Sequence, residues 1–187
     1  MMKSGRIEVI TGPMFSGKSE ELIRRLRRAT FAKQRIQCFK PNIDNRYNVT
    51  DIASHSKLTF SAKTVQTTGE LKTIAGICLN NFDVIGIDEA QFFGDELISF
   101  SIELARAGKR VIIAGLDTTF AGEPFHPIPE LMAIADEVIK LSAVCVKCGE
   151  PAIHSQRLST DTSRVLVGAD TLYEARCRQC FDPILES

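Results

Sequence analysis

The sequence has no surplus of either charge and no long apolar run, and these two absences narrow the class of protein it encodes. Its 187 residues include 23 Lys and Arg against 23 Asp and Glu, so the formal net charge is zero. Affinity for nucleic acid or for an acidic membrane surface comes mainly from surplus positive charge, so we expect neither as a partner. The longest apolar stretches, such as residues 84–87 and 111–115, are far shorter than the roughly 20 residues that cross a bilayer.

The sequence also shows no pattern typical of a secretory signal, an internal repeat or a low-complexity segment. The N-terminal residues MMKSGRIEVITG contain no extended apolar segment of the kind that a secretory signal needs. We found no internal repeat and no low-complexity tract. With 44% hydrophobic and 25% charged residues, the composition is that of an ordinary globular chain long enough to bury a core. We therefore expect a soluble cytoplasmic protein.

Short apolar runs alternate with helical patterns through the first three quarters of the chain. This alternation predicts a parallel sheet covered by helices on both faces, hence an α/β fold. The pattern changes near Ala143 to short strands and turns between cysteine pairs, so we place a boundary there, between residues 1–142 and residues 143–187. The predicted elements are strands at residues 6–11, 37–40, 64–65, 82–87 and 110–114, and helices at residues 19–33, 69–80 and 96–107.

The strongest motif follows the first predicted strand and opens the first predicted helix. The segment GPMFSGKS matches the phosphate-binding pattern G-x-x-x-x-G-K-[ST] in full. The glycines let backbone N–H groups turn toward phosphate oxygens, and the N-terminus of the helix adds a favourable dipole. The lysine is expected at the β- and γ-phosphates of ATP, and the final serine at Mg²⁺. The predicted nucleotide-binding residues are Gly12, Pro13, Met14, Phe15, Ser16, Gly17, Lys18 and Ser19.

A phosphate-binding loop of this kind needs an acidic group for the magnesium ion at the end of a neighbouring strand. Asp88 follows the apolar run FDVIGI and fits that role, and Glu89 comes next. Because adjacent residues at a strand end point to different sides, we expect Asp88 to face the metal and Glu89 the phosphate acceptor. Glu89 could orient a water, as in an NTPase, or accept the proton of an alcohol, as in a kinase. A solvated acid with no role is the alternative.

The six cysteines fall into two groups. Cys38 and Cys78 stand alone in apolar segments, which is typical of buried small hydrophobic residues. The other four form two C-x-x-C pairs, and a cytoplasmic chain keeps its thiols reduced, which favours a structural zinc site over disulfides. A redox dithiol and free thiols are the alternatives. The predicted metal ligands are Cys145, Cys148, Cys177 and Cys180.

Taken together, these motifs resemble those of the zinc-containing thymidine kinases, the type found in many bacteria and in the animal cytosol. The resemblance covers roughly residues 5–181 and is carried by GPMFSGKS, DVIGIDEAQFF, the LDTTF segment and both C-x-x-C pairs. It implies a RecA-like P-loop NTPase core with a small C-terminal zinc-ribbon domain that carries a lasso loop. It also implies transfer of the γ-phosphate of ATP to the 5′-hydroxyl of thymidine, in salvage of pyrimidine deoxynucleotides.

The same resemblance implies roles for individual residues. Glu89 matches the catalytic base, and Gln91 is placed among the nucleotide-binding residues. Asp44 and Arg46 match an Asp-x-Arg pair near the acceptor, with a local ion pair in the loop as the alternative. The remaining candidates line the thymine pocket, although aromatic residues in such pairs are often plain core: Met14, Phe92, Leu116, Phe120, Phe125, Ser155 and Tyr173.

The resemblance also implies partners that no residue pattern shows. The segment from about Gly149 to Tyr173 would close over the base as a lasso, with the zinc fixing its foot. Thymidine triphosphate would be a feedback inhibitor and the assembly a homotetramer. Deoxyuridine stays open as a second nucleoside substrate. The alternative from another class is a zinc-ribbon P-loop ATPase that acts on nucleic acid, and the near-neutral charge of residues 143–187 disfavours it.

Overall fold

The computed structural model describes residues 5–42, 51–53, 59–77, 81–159 and 172–183. Four helices, twelve strands and one 3₁₀ turn are assigned within these ranges. In chain order they are β1 (Arg6–Thr11), α1 (Lys18–Phe31), β2 (Ile36–Pro41), β3 (Asp51–Ala53), β4 (Thr59–Ser61), β5 (Lys63–Val65), α2 (Thr68–Ile77), β6 (Val84–Ile87), the 3₁₀ turn (Ala90–Phe92), α3 (Glu96–Arg106), β7 (Arg110–Gly115), α4 (Ile128–Ile134), β8 (Glu137–Lys140), β9 (Ala143–Val144), β10 (Pro151–Ala152), β11 (His154–Arg157) and β12 (Tyr173–Arg176).

Six of the strands form one parallel sheet in the order β5-β2-β6-β7-β1-β8. Helix α1 packs on one face through Leu22, Ile23 and Leu26, which are fully buried. The other three helices pack on the opposite face, where Leu71, Leu97 and Leu131 each contribute to a single buried cluster. The predicted α/β fold with both faces of the sheet covered is therefore confirmed.

The predicted elements are all present, with ends that differ from the prediction by at most three residues. Strand β8, helix α4 and the β3–β4 hairpin were not predicted. Helix α4 is only seven residues long and follows Pro127, so its sequence carries too few turns to show a helical period. The β3–β4 hairpin consists of two three-residue strands, which are too short for their alternation to be read.

One arginine of α1 differs from its neighbours in exposure. Arg24, Arg27 and Arg28 are exposed, but Arg25 is buried. Its guanidinium contacts Glu8 of β1 at 2.6 Å, Glu21 at 2.8 Å and Glu137 at 2.8 Å. The charges along α1 do not show which residue of another element lies against Arg25. That residue, Glu8, stands within the largely apolar strand β1.

The chain after β8 forms two small antiparallel pairs, β9 with β10 and β11 with β12. Their shared core contains only alanine and cysteine side chains, which bury little apolar area. Such a core is too small to be stable without a further crosslink. Within the parts of the chain that the structure describes, no helix combines the length and the apolarity that a membrane crossing requires.

Candidate functional site

The loop between β1 and α1 has the backbone that phosphate binding requires. Gly12 has φ of 140° and Gly17 has φ of 85°, so both occupy conformations that side chains disfavour. A Cβ on Gly12 would also lie 2.3 Å from the carbonyl oxygen of Leu141. Gly17 immediately precedes α1 and has no side chain of its own that could cap the helix terminus. The N–H groups at the start of α1 are therefore directed at the loop, as an anion-binding site needs.

Lys18 lies under this loop rather than in solvent. Its ammonium donates a hydrogen bond of 2.8 Å to the carbonyl oxygen of Pro13 and is largely buried. Burial lowers the pKa of Lys18, and the negative charges of Glu89, Asp88 and Asp117 oppose that shift. Because the ammonium of Lys18 is largely removed from water, it is suited to bind an anion. The phosphates of a nucleotide would supply that anion.

Ser19 and Asp88 lie together as the sequence predicted. The Ser19 hydroxyl is 3.1 Å from one carboxylate oxygen of Asp88 and 3.3 Å from the other. Two ligands at neighbouring corners of an octahedral Mg²⁺ site would be about 3 Å apart, so this pair fits the ion. Burial raises the pKa of Asp88, and the adjacent charge of Glu89 raises it further. A divalent cation would offset both effects.

Glu89 lies two residues beyond the end of β6, in a backbone conformation that is not extended. Strand β6 ends at Ile87, and Glu89 has φ of 51° and ψ of 43°, a left-handed backbone. This conformation is uncommon for a residue with a side chain and is concentrated at functional sites. The alternation of side chains along β6 therefore does not extend to Glu89.

Gln91 holds the carboxylate of Glu89. Its side-chain oxygen accepts a 3.0 Å hydrogen bond from the backbone N–H of Leu116, and its NH₂ group donates one of 2.6 Å to Glu89 Oε2. A backbone N–H can only donate, so the amide must have this orientation. A Cβ at Gly115 would lie 2.9 Å from the Gln91 oxygen, so glycine leaves the space that Gln91 occupies. Gln91 was predicted to contact nucleotide, and the positioning contact was missed because the sequence does not show that Leu116 is adjacent.

The predicted pocket residues come from several different elements of the fold. Phe92 and Phe125 meet edge to face with ring centroids 6.0 Å apart. Phe120 and Phe125 are buried, and Leu116 is half-buried at the end of β7. Tyr173 begins β12, where its hydroxyl accepts hydrogen bonds from the buried Arg157. Sequence reasoning missed Arg157, because no pattern distinguishes a buried arginine from a surface one.

Ser155 lies against the phosphate-binding loop. Ser155 is buried, and its hydroxyl accepts a 2.9 Å hydrogen bond from the backbone N–H of Met14, so it touches the phosphate-binding loop. Its own O–H proton can still be donated elsewhere. Asp44 and Arg46 lie outside the described residues, as do Cys78 and residues 160–171 of the predicted lasso.

The four cysteines of the C-x-x-C pairs come together in one cluster, with all sulfur atoms within 4.8 Å of one another. The Cys148 sulfur is 3.6 Å from that of Cys177 and 3.7 Å from that of Cys180. Tetrahedral Zn²⁺ with Zn–S bonds of about 2.3 Å places its sulfurs about 3.8 Å apart, so the cluster fits zinc. These separations are also much longer than a disulfide bond.

Backbone groups around the cluster favour the ligand form of at least one thiol. Desolvation raises the pKa of Cys145, but hydrogen bonds from the backbone N–H groups of Cys177, Lys147 and Cys148 outweigh it and bring the pKa to about 6. Gly149, with φ of 80°, closes the first turn by donating its N–H to the Cys145 carbonyl oxygen at 2.8 Å. Both features are typical of a zinc knuckle.

Comparison with known proteins places this geometry in a family. The family model described as "Thymidine kinase" matches residues 5–181. A thymidine kinase of Rhodothermus sp. (strain ITI 518) is 51% identical over 179 residues, which cover 96% of this chain and 82% of that protein. A thymidine kinase of Bdellovibrio bacteriovorus is 51% identical over 183 residues, covering 98% and 88% respectively. One from Bacteroides thetaiotaomicron is 50% identical over 179 residues, covering 96% and 88%.

Proposed function

This chain belongs to the thymidine kinase family of phosphotransferases, and on that premise we propose that it transfers the γ-phosphate of ATP to the 5′-hydroxyl of thymidine. The observation that carries the proposal is the meeting of Lys18, Ser19 and Asp88 beneath the phosphate-binding loop, with the Ser19 hydroxyl 3.1 Å from Asp88 and Glu89 next to it. These contacts support a nucleotide site, a cation site and a candidate base at the carboxyl ends of neighbouring parts of the sheet.

The donor half of the site uses residues 12–19. Backbone N–H groups of this loop and the buried ammonium of Lys18 would bind the β- and γ-phosphates. Ser19 would ligate the Mg²⁺ that accompanies ATP, and Asp88 would hold it directly or through water. The sub-3.5 Å contacts between Ser19 and Asp88 support this assignment.

Glu89 is proposed as the general base. Its carboxylate would accept the proton of the 5′-hydroxyl while that oxygen bonds the γ-phosphorus and the bond to ADP breaks. The hydrogen bond from Gln91 supports this role, because it fixes one carboxylate oxygen and so limits the directions that the other can take. We accordingly assign Gln91 a positioning contact rather than only a nucleotide contact.

The acceptor half of the site would be apolar. Thymine is uncharged and flat, and aromatic walls suit such a ring. Phe92 and Phe125 support one wall through their edge-to-face packing, and Met14, Leu116, Phe120 and Tyr173 would complete the pocket. Ser155 would contribute its hydroxyl, and Asp44 and Arg46 would act near the sugar and the transferred phosphoryl group. Deoxyuridine, which lacks only the methyl group, would be a weaker substrate.

Zinc is proposed to hold structure. Four thiolates would fill its coordination shell, which leaves no open position for substrate or water. When bound, the ion would crosslink β9–β10 to β11–β12 and stabilise a region whose own core is very small. The boundary near Ala143, a homotetrameric assembly, inhibition by thymidine triphosphate and a cytoplasmic location all stay predictions.

A single assay tests the proposal. Purified protein is incubated with ATP and Mg²⁺ and, separately, with thymidine, deoxyuridine, deoxycytidine, deoxyadenosine and deoxyguanosine. We expect conversion of thymidine to its 5′-monophosphate, with slower turnover of deoxyuridine and little of the purines. Phosphorylation of a purine nucleoside without thymidine would contradict the pocket assignment, and ATP hydrolysis without any nucleoside product would contradict the kinase.

A further inference from the structure

Arg157 is the largest fully buried side chain among the described residues, with 1% of its surface exposed. It ends β11, and its guanidinium carbon lies 3.6 Å from the centre of the Phe120 ring. Its Nε and Nη2 atoms donate hydrogen bonds of 3.1 and 2.7 Å to the hydroxyl of Tyr173. One buried cation therefore touches two aromatic residues from different parts of the chain.

The two aromatic partners do not otherwise share an element. Phe120 belongs to the loop that follows β7 of the large sheet, and Tyr173 is the first residue of β12. Arg157 and Tyr173 are cross-strand partners in the β11–β12 hairpin, and the next backbone pair, Leu158 N–H to Leu172 C=O, is 2.9 Å apart. The hairpin thus fixes Arg157 against Tyr173, and the stacked guanidinium fixes both against Phe120.

Arginine is chemically suited to this position. Burial removes the hydration of a guanidinium, and this cost must be offset by contacts within the protein. The flat guanidinium can stack on one ring while its edge donates two hydrogen bonds to one acceptor. Lysine has neither the plane nor the paired donors, so it cannot make both contacts at once.

We propose that Arg157 is a positioning residue for the nucleoside pocket. Its side chain holds Phe120 and Tyr173 at the separation that a pyrimidine base requires. This inference rests on the proposed function, because it takes Phe120 and Tyr173 as walls of that pocket. The inference goes beyond the proposed function because it assigns the distance between Phe120 and Tyr173 to a residue that need not touch the substrate.

The test compares Arg157→Lys and Arg157→Met with Arg106→Lys, a control at the exposed end of α3. For each variant, kcat, the KM for thymidine, the KM for ATP, zinc content and melting temperature are measured. Loss of a desolvated cation–π contact leads us to expect a KM for thymidine that rises about tenfold, with the KM for ATP and the zinc content unchanged. Calorimetric binding of thymidine should weaken by the same factor.

A second arm uses Tyr173→Phe alone and combined with Arg157→Lys. Both changes break the same hydrogen bonds, so their effects on the KM for thymidine should be less than multiplicative. Multiplicative effects, or a KM for thymidine that stays at the wild-type value in well-folded Arg157→Lys, would overturn the inference. So would equal losses in both KM values together with a lower melting temperature, which would indicate a purely structural role.

The inference and the proposed function fail in different ways. If wild-type protein neither phosphorylates nor binds thymidine, the proposed function is wrong and the inference falls with it. If wild-type protein does both and Arg157→Lys behaves as wild type does, the inference alone is wrong.

Discussion

The backbone N–H of Met14 donates a 2.9 Å hydrogen bond to the hydroxyl of Ser155, 141 positions further along the chain. Met14 lies in the phosphate-binding loop and Ser155 in β11 of the cysteine-rich segment, so this contact joins the two halves of the site. The conformation of the nucleotide loop and the position of the zinc-bearing segment are therefore physically linked.

Replacing Ser155 should weaken both stability and ATP binding. Ser155→Ala leaves the Met14 N–H without its acceptor, which costs about 1 kcal/mol and lowers the melting temperature by about 2–4 °C. Titration calorimetry should show a higher Kd for ATP. Ser155→Thr keeps the hydroxyl and should behave as wild type does. Equal ATP affinities in the alanine and threonine variants would argue against the link.

Removing the carboxylate of Glu89 should stop chemistry without stopping nucleotide binding. Glu89→Gln cannot accept a proton, so kcat should fall by about 10²–10⁴-fold, the usual contribution of a general base. The Kd for ATP, followed by calorimetry, should change little because residues 12–19 are untouched. Glu123→Gln, at an exposed position, is the control. A Glu89→Gln variant with a near-normal kcat would remove this residue from the mechanism.

The role of Gln91 can be tested by whether its replacement changes kcat or the KM for ATP. Gln91→Met has a similar volume but cannot donate to Glu89 or accept from Leu116. If Gln91 positions the base, kcat should fall about tenfold or more, because small misplacements of a reacting group are costly. The KM for ATP should stay near the wild-type value. A raised KM for ATP with unchanged kcat would instead support the nucleotide contact that the sequence suggested.

Loss of one cysteine ligand should release the metal. Cys145→Ser should lower zinc content, measured by elemental analysis, from one atom per chain toward zero, and reduce the melting temperature. Cys38→Ser is the control, because Cys38 is buried in the core of the large sheet. That variant should lose stability while it keeps its zinc. Full zinc content in Cys145→Ser would contradict the site.

Stability should fall in acid because of Glu8. Burial by itself would raise the pKa of Glu8, but hydrogen bonds from Arg110 and Arg25 outweigh it and lower the pKa to about 2. Since the folded pKa lies below the ordinary glutamate value of 4.5, Glu8 stabilises the fold above pH 4.5. That contribution, about 3 kcal/mol, disappears as the pH falls from 4.5 through 2.

Urea unfolding between pH 7 and pH 3 measures this effect. Glu8→Gln should be less stable at pH 7 and should lose less stability than wild type on acidification. Glu103→Gln, which changes an exposed residue of α3, should follow the wild-type curve. Parallel curves for wild type and Glu8→Gln would show that the acid sensitivity comes from other groups.

The α/β class, the phosphate-binding loop and the cysteine set could all be predicted from sequence patterns. Each of these is local, because a strand period, a glycine-rich turn or a C-x-x-C turn is complete within a few neighbouring residues. The sequence also placed Asp88 and Glu89 directly after a strand.

Contacts between residues far apart in the chain could not be predicted in this way. The approach of Gln91 to Leu116, of Arg157 to Phe120 and of Ser155 to Met14 depends on how the sheet, its loops and the cysteine-rich segment pack. Hydrogen bonds and ring contacts act over about 3–4 Å, whereas these partners are separated by tens of residues of chain. No local pattern encodes such a distance, so these contacts could be recognised only in the folded molecule.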